Sequence, residues 1–218
     1  MRFPGSDFGY SSHVRASDPS AYPIFGSSPP STNGLLTTMA LTSTMYALQV
    51  QLAHVDRGVY ESLEFRMAMH PSEAPEYFVA RLLAYCLEYR EGIAFSKGVS
   101  DPDDPTVSVR DLTGTLTHWI EIGLPDAARL HKASKAAPHV AVYTHKDPSV
   151  WLRQLQGSKV HKVERIACHV LDRALVDALV DRLDRRLSLE LSVTDGTLFV
   201  NVGNTTLTGT TERVPLSV

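Results

Sequence analysis

Two carboxylates, Asp104 and Glu121, stand in a stretch whose pattern can bring them together. Residues 104–132 read as a β-hairpin that hands on to a helix. Leu112-Thr113-Gly114 separates two strand-like runs and is a turn signal. With Leu112 and Thr113 as a two-residue loop, Asp111 pairs with Gly114. Val109 then faces Leu116, Val107 faces His118 and Pro105 faces Ile120, which makes one mostly apolar face. The other face carries Arg110 with Thr115, Ser108 with Thr117, Thr106 with Trp119, and Asp104 with Glu121. Residues directly opposite each other lie roughly 5 Å apart at Cβ. Like charges that close repel unless a cation or a proton sits between them. The pair is therefore raw material for a metal site. The plain alternative is a hairpin end with both acids in water.

The elements that must position these acids follow from periodicity. Tyr46, Leu48, Val50 and Leu52 alternate with other residues, as do Leu63, Phe65, Met67 and Met69, so each set predicts a half-buried strand. His70-Pro71-Ser72-Glu73 opens a helix, with Ser72 as a candidate N-cap and Pro75 tolerated in the first turn. Phe78, Val79, Leu82, Leu83, Tyr85, Cys86 and Tyr89 form its apolar stripe. Glu76 projects at the edge of that stripe, either favoured by the helix dipole or aimed into a site. Ile93 to Lys97 predicts a short strand, and a helix runs from Pro125-Asp126 to about Ala136. His139 to His145 predicts a buried strand parallel to a neighbour, because a helix precedes it. Pro148 to Gln156 reads as helix, Arg165 to Leu171 as strand, and Asp172 caps an amphipathic helix. Leu187 to Val193, the Asp195-Gly196 turn and Thr197 to Val202 predict a terminal hairpin. One α/β domain with a mixed sheet flanked by helices fits this order.

Composition bounds the function classes. The chain of 218 residues is 43% hydrophobic and 21% charged, ordinary for a globular protein. A net charge of −3 leaves no global basic field, so nucleic acid would have to be held in a local basic groove. Cys86 and Cys168 lie in apolar contexts without CxxC spacing, which points to free thiols in a reducing compartment. No apolar run approaches a membrane span and no signal peptide pattern opens the chain, so a cytoplasmic monomer is expected. Ser, Pro, Gly and Thr fill 20 of the first 38 positions, so residues 1–38 read as disordered, or as an upstream misreading before a start at Met39. The domain is expected over residues 39–218.

Other chemistries find less support. The nine histidines show no zinc spacing, and His131, His139 and His145 read as surface or strand-end residues. There is no Gly-x-Ser-x-Gly elbow, Walker loop or GxGxxG. Trp119 and Trp151 read as packing residues rather than base-stacking platforms.

His70-Pro71-Ser72-Glu73, then Glu76, then Arg81-Leu82-Leu83-Ala84-Tyr85, then Trp119-Ile120-Glu121-Ile122-Gly123-Leu124-Pro125-Asp126 resemble the YaeQ family of bacterial proteins. The resemblance runs from Met39 almost to the C-terminus. One small departure is Gly98-Val99-Ser100, where Gly-Leu-Ser is more usual. The resemblance implies a variant of the PD-(D/E)XK nuclease fold: a helix, a three-strand meander, a helix and a further strand. It implies Glu76 as the helix acid, Asp104 as the acid of the central strand and Glu121 as the acid of the third motif, with Asp101, Asp103 and Asp111 as alternatives to Asp104. Nucleases of this class carry a lysine two residues after the third acid; here that position is Gly123. Lys132, on the next helix, is the candidate replacement.

The chemistry so implied is Mg²⁺- or Mn²⁺-dependent phosphodiester hydrolysis. Asp104 and Glu121 would hold the ion through oxygen, and Glu76 would bind a second ion or orient a metal-bound water. Lys132 would position the attacking water, and Lys97, Arg110 and Arg129 would contact phosphates. The alternative is a non-catalytic protein that keeps the fold to bind nucleic acid or a protein partner.

Overall fold

A computed structural model describes residues 42–96 and 104–216. The expectations for residues 1–38, and for Lys97, Asp101 and Asp103, lie outside the described residues.

The chain opens with two long strands, β1 (Thr44–His54) and β2 (Val59–Met69), paired antiparallel. Along β1, Leu48, Val50 and Leu52 are buried while Gln49 and Gln51 face out, the period of two that predicted this strand. Helix α1 (Pro75–Leu87) follows. It starts later than expected: Ala74 is the N-cap and has no side-chain acceptor for the first amides, and Pro75 opens the helix, where its missing N–H has no intrahelical partner anyway. Ser72 instead bonds the His70 ring. At the other end, Arg57 donates to the carbonyls of Leu87 and Tyr89 and satisfies groups that the helix leaves open.

Three short antiparallel strands come next: β3 (Ile93–Phe95), β4 (Val107–Arg110) and β5 (Leu116–Ile122). Helix α2 (Ala127–Ala136) leads to β6 (His139–Thr144), parallel to β5 as predicted. Helix α3 (Ser149–Leu155) leads to β7 (Ile166–Leu171), also parallel. Helix α4 (Arg173–Val180) is capped by Asp172, which accepts from the amides of Ala174 and Leu175. Strands β8 (Arg186–Thr194) and β9 (Thr197–Val202) form the expected hairpin about Asp195-Gly196. A further strand, β10 (Thr205–Val214), extends that hairpin to a meander.

The ten strands of the described residues join one mixed sheet in the order β2-β1-β8-β9-β10-β7-β6-β5-β4-β3. This corrects the expectation of a sheet simply flanked by helices. Strand β10 pairs with β9 over Thr205–Thr210 and with β7 over Thr211–Val214, so one strand joins the two halves. The sheet curls until its edges approach each other. The rings of Phe65 on β2 and Phe95 on β3 lie 5.7 Å apart, and Tyr85 of α1 stacks on Phe95 at 4.4 Å. Helix α1 lies inside this curve. Nine of its 13 residues are buried, so it is apolar nearly all round rather than along one stripe. A second, outer core packs α2 and α3 on the sheet through Trp119, Leu130, Val142 and Trp151. Both tryptophans are buried packing residues, and Cys86 and Cys168 are buried free thiols, as expected.

Gly209 of β10 lies under α4. A Cβ there would stand 2.6 Å from Leu175 Cβ and 3.1 Å from Asp172 Cβ, so α4 reaches the strand only because no side chain intervenes. Gly209→Ala is expected to cost about 1–3 kcal/mol by overpacking. Chemical denaturation checks it, and a shift under about 0.5 kcal/mol would mean that α4 is free to move away.

Candidate functional site

The β4–β5 hairpin keeps the predicted faces but not the predicted register. Asp111 pairs with Thr115, not Gly114, around a three-residue loop, and Gly114 takes the left-handed conformation at φ +84°. Asp111 closes the loop itself, accepting from the amides of Thr113 and Thr115 and from the Thr113 hydroxyl. These bonds hold its carboxyl below the usual carboxylate range. A bulge between Val109 and Arg110 adds a further step. Val107 therefore faces Ile120, Ser108 faces Trp119 and Val109 faces His118. Asp104 does not face Glu121. The residue that meets Glu121 is Thr106, whose hydroxyl donates to Oε2 at 3.1 Å.

Glu121 is buried, with 6% of its side chain exposed, and its oxygens are occupied. Oε1 accepts from the Trp119 indole N–H and from Arg129 Nε at 2.8 Å, and lies 2.7 Å from Arg129 Nη2. Arg129 also covers the Trp119 ring, 5.1 Å from its centroid, and donates through Nη2 to the Asp104 backbone carbonyl at 2.5 Å. Asp126 caps α2 by accepting the Arg129 amide at 2.7 Å, which fixes the start of the helix that carries the guanidinium. The cation set against Glu121 is thus Arg129. Lys132 lies one turn further along α2, half-buried. Arg110 is exposed and bonds the Gly114 carbonyl, tied to the hairpin loop.

Past the end of β5 the sheet opens into a cleft of about 540 Å³, which Glu121 itself does not line. It lies where Gly123 follows β5 and His145 follows β6, beside the start of α1 and α4. The crevice outside the carboxyl ends of parallel strands is the common ligand position in α/β sheets. Glu76, Tyr77, His145, Lys146 and Arg173 line it. Tyr77 links it to Glu121, with its hydroxyl 3.4 Å from Thr106 Oγ1. Burial pushes the Tyr77 phenol up. His145 is 7% exposed, so it is a strand-end residue but not a surface one, and its Nδ1 has no hydrogen-bond partner among the described residues. Burial, then the charges of Lys146 and Arg173, pull its proton affinity down, partly opposed by Glu76. Gly123 adopts φ +93° and donates to the Tyr143 carbonyl at 2.8 Å. That backbone conformation favours glycine, so a lysine there would add strain as well as a charge.

Of the acids that sequence reasoning named, Glu76 lines this cleft and Glu121 lies two residues before the Gly123 that lines it. Sequence reasoning missed Tyr77, Thr106, Lys146 and Arg173. The usable signal was positional: Lys146 and Arg173 follow the two predicted strands at His139 to His145 and Arg165 to Leu171. Among the described residues no group of three or more His, Cys, Asp or Glu side chains is gathered closely enough to hold a metal ion. No helix among them is long and apolar enough to cross a membrane.

The fold and cleft define a single-sheet α/β protein whose helix α1 lies inside a nearly closed mixed sheet. The family model described as YaeQ protein matches residues 39–211, and the chain belongs to the YaeQ family. It is 32% identical over 165 residues to an uncharacterized protein YaeQ of Salmonella typhi, covering 75% of this chain and 91% of that one. The Escherichia coli counterpart is 31% identical over 165 residues with the same coverage. The crystal structure of YaeQ protein from Pseudomonas syringae superposes with a TM-score of 0.71 at 30% identity, over 79% of this chain and 96% of that one. That from Xanthomonas axonopodis pv. citri gives 0.72 at 27% identity, over 79% and 98%.

Proposed function

We propose that this chain is a non-catalytic protein that binds nucleic acid through the cleft lined by His145, Lys146 and Arg173. The observation that carries this reading is the arginine set against Glu121. Mg²⁺ needs near-octahedral oxygen ligands and gives up its waters reluctantly. Here both oxygens of Glu121 already accept from Trp119, Arg129 and Thr106. Asp104 is exposed and no longer opposite, and Glu76 lines the cleft separately. The residues present do not fit the Mg²⁺ that the nuclease resemblance implies. What the cleft offers a phosphate backbone is Lys146 and Arg173 at its rim, with the unpartnered nitrogen of His145 below.

The test is fluorescence anisotropy of the full chain with labelled single- and double-stranded DNA and RNA in EDTA. Binding without metal is expected. Lys146→Glu with Arg173→Glu should weaken it and flatten the salt dependence by about two phosphate contacts. No binding to any of the four would remove the reading. Mg²⁺-dependent cleavage lost in Glu121→Gln would replace it with a hydrolase built on Glu76, Asp104 and Glu121.

A further inference from the structure

The inner face of the sheet holds a second cleft, of about 350 Å³, beyond the C-terminal end of α1. Its hollow exists because Ala141 and Ala167 sit side by side on neighbouring strands, where larger residues would fill the space. Six of its eleven lining residues are arginines or histidines. His118 and His139 stack at 4.5 Å on paired positions of β5 and β6. His169 of β7 stacks on Tyr143 at 4.8 Å, and its neighbour across the ladder is Arg213 of β10. Arg90 and Arg165 complete the rim.

The lining holds three arginines and one acid, Glu88. That acid is already engaged, accepting from the Tyr143 hydroxyl at 2.9 Å and pairing with Arg90 at 3.2 Å. Neither Arg165 nor Arg213 has an ion pair or side-chain hydrogen bond among the described residues. Arg90 is pressed against the His118 ring. Burial first, then the Arg90 charge and His139, pull the His118 proton affinity down to about 4. A concave surface with surplus cations matches an oxyanion whose oxygens all accept.

We propose that this cleft is a binding site for a phosphate or diphosphate group. The inference does not rest on the nucleic-acid reading, because the residues that carry it line a different cleft. The site takes its ligand by charge-assisted hydrogen bonds from Arg165 and Arg213, with the histidine pair as a fixed back wall.

The experiment is calorimetric titration of the full chain with inorganic phosphate and pyrophosphate. Saturable one-to-one binding of pyrophosphate is expected, tighter than phosphate. Arg165→Ala with Arg213→Ala should weaken it by at least about tenfold. Both side chains are exposed, so that variant should fold. Lys146→Ala with Arg173→Ala should leave it unchanged, which separates this cleft from the outer one. The NMR titration of His118 adds a local readout, expected to climb by about one unit when pyrophosphate is bound. Competition by a 5′-phosphorylated oligonucleotide would identify the phosphate as that of a nucleic-acid end. Competition by mononucleotides alone would identify a small phosphorylated molecule. Absence of saturable binding at millimolar pyrophosphate would overturn the proposal, as would an unchanged affinity in the Arg165/Arg213 variant.

Discussion

Glu121→Ala is expected to destabilise the protein by about 3 kcal/mol, because it strands the buried Trp119 indole and the partly buried Arg129 guanidinium at once. Removing one member of a buried pair costs about 3–5 kcal/mol, since the other charge stays without compensation. Arg129 keeps 21% of its side chain exposed and can turn partly to water, which places the effect at the low end. The Trp119 indole is fixed in the outer core and cannot turn. Glu121→Gln should cost less, since an amide oxygen still accepts from Trp119. Urea denaturation of the three proteins orders them directly. A loss below about 1 kcal/mol for the alanine variant would mean that the network is only a surface ion pair. The ordering also decides how function is probed: glutamine, not alanine, is the variant that separates activity from folding.

Glu73→Ala should cost more, about 4 kcal/mol. Glu73 and Arg81 pair at 2.8 Å with side chains 1% and 5% exposed, in the space enclosed by the sheet. Arg81 also donates to the Ala68 carbonyl of β2 at 2.7 Å and lies over the rings of Phe78 and Phe95. It is the polar fastening between the inner helix and both edges of the sheet. Without Glu73 its charge has nowhere to go, and the penalty of an uncompensated buried ion applies in full. Replacing both partners with apolar residues, as in Glu73→Leu with Arg81→Met, should recover more than half of the loss. Equal losses in the single and double variants would show that shape rather than charge holds the helix.

Most elements were legible because their side chains alternate or recur every turn. The parallel placement of β6 followed from the helix before it, and the Asp195-Gly196 turn was plain. The register of the β4–β5 hairpin was not legible. A shift of two residues keeps every side chain on its face, so alternation cannot detect it. What produced the shift was local: Asp111 binding the amides of its own loop, and a bulge one residue away. Strand β10 escaped notice because Thr-Thr-Leu-Thr-Gly-Thr-Thr carries little apolar signal, although threonine suits a strand. The closure of the sheet was invisible for another reason. It depends on pairings between strands far apart in the chain. Of the candidate site, the acids could be named, but the counter-ion could not. Arg129 reads from sequence as a candidate phosphate contact, and only the fold brings it onto Glu121.

The sheet order has a consequence for synthesis on the ribosome. Among the described strands the hairpin β1–β2 is made first, yet the strand that covers the free side of β1 is β8, one of the last three of them. Until β8 emerges, β1 presents a row of unpaired amides and carbonyls along an apolar strand, the kind of edge that recruits other chains. The middle strands β3 to β7 and helix α2 can pair among themselves as they appear, but α1 has no completed wall to lie against until β10 links the halves. Long-range pairing of this kind is slow. The nascent chain is therefore expected to need a chaperone for the interval between its first strand and its last, and truncations before β8 should aggregate rather than fold.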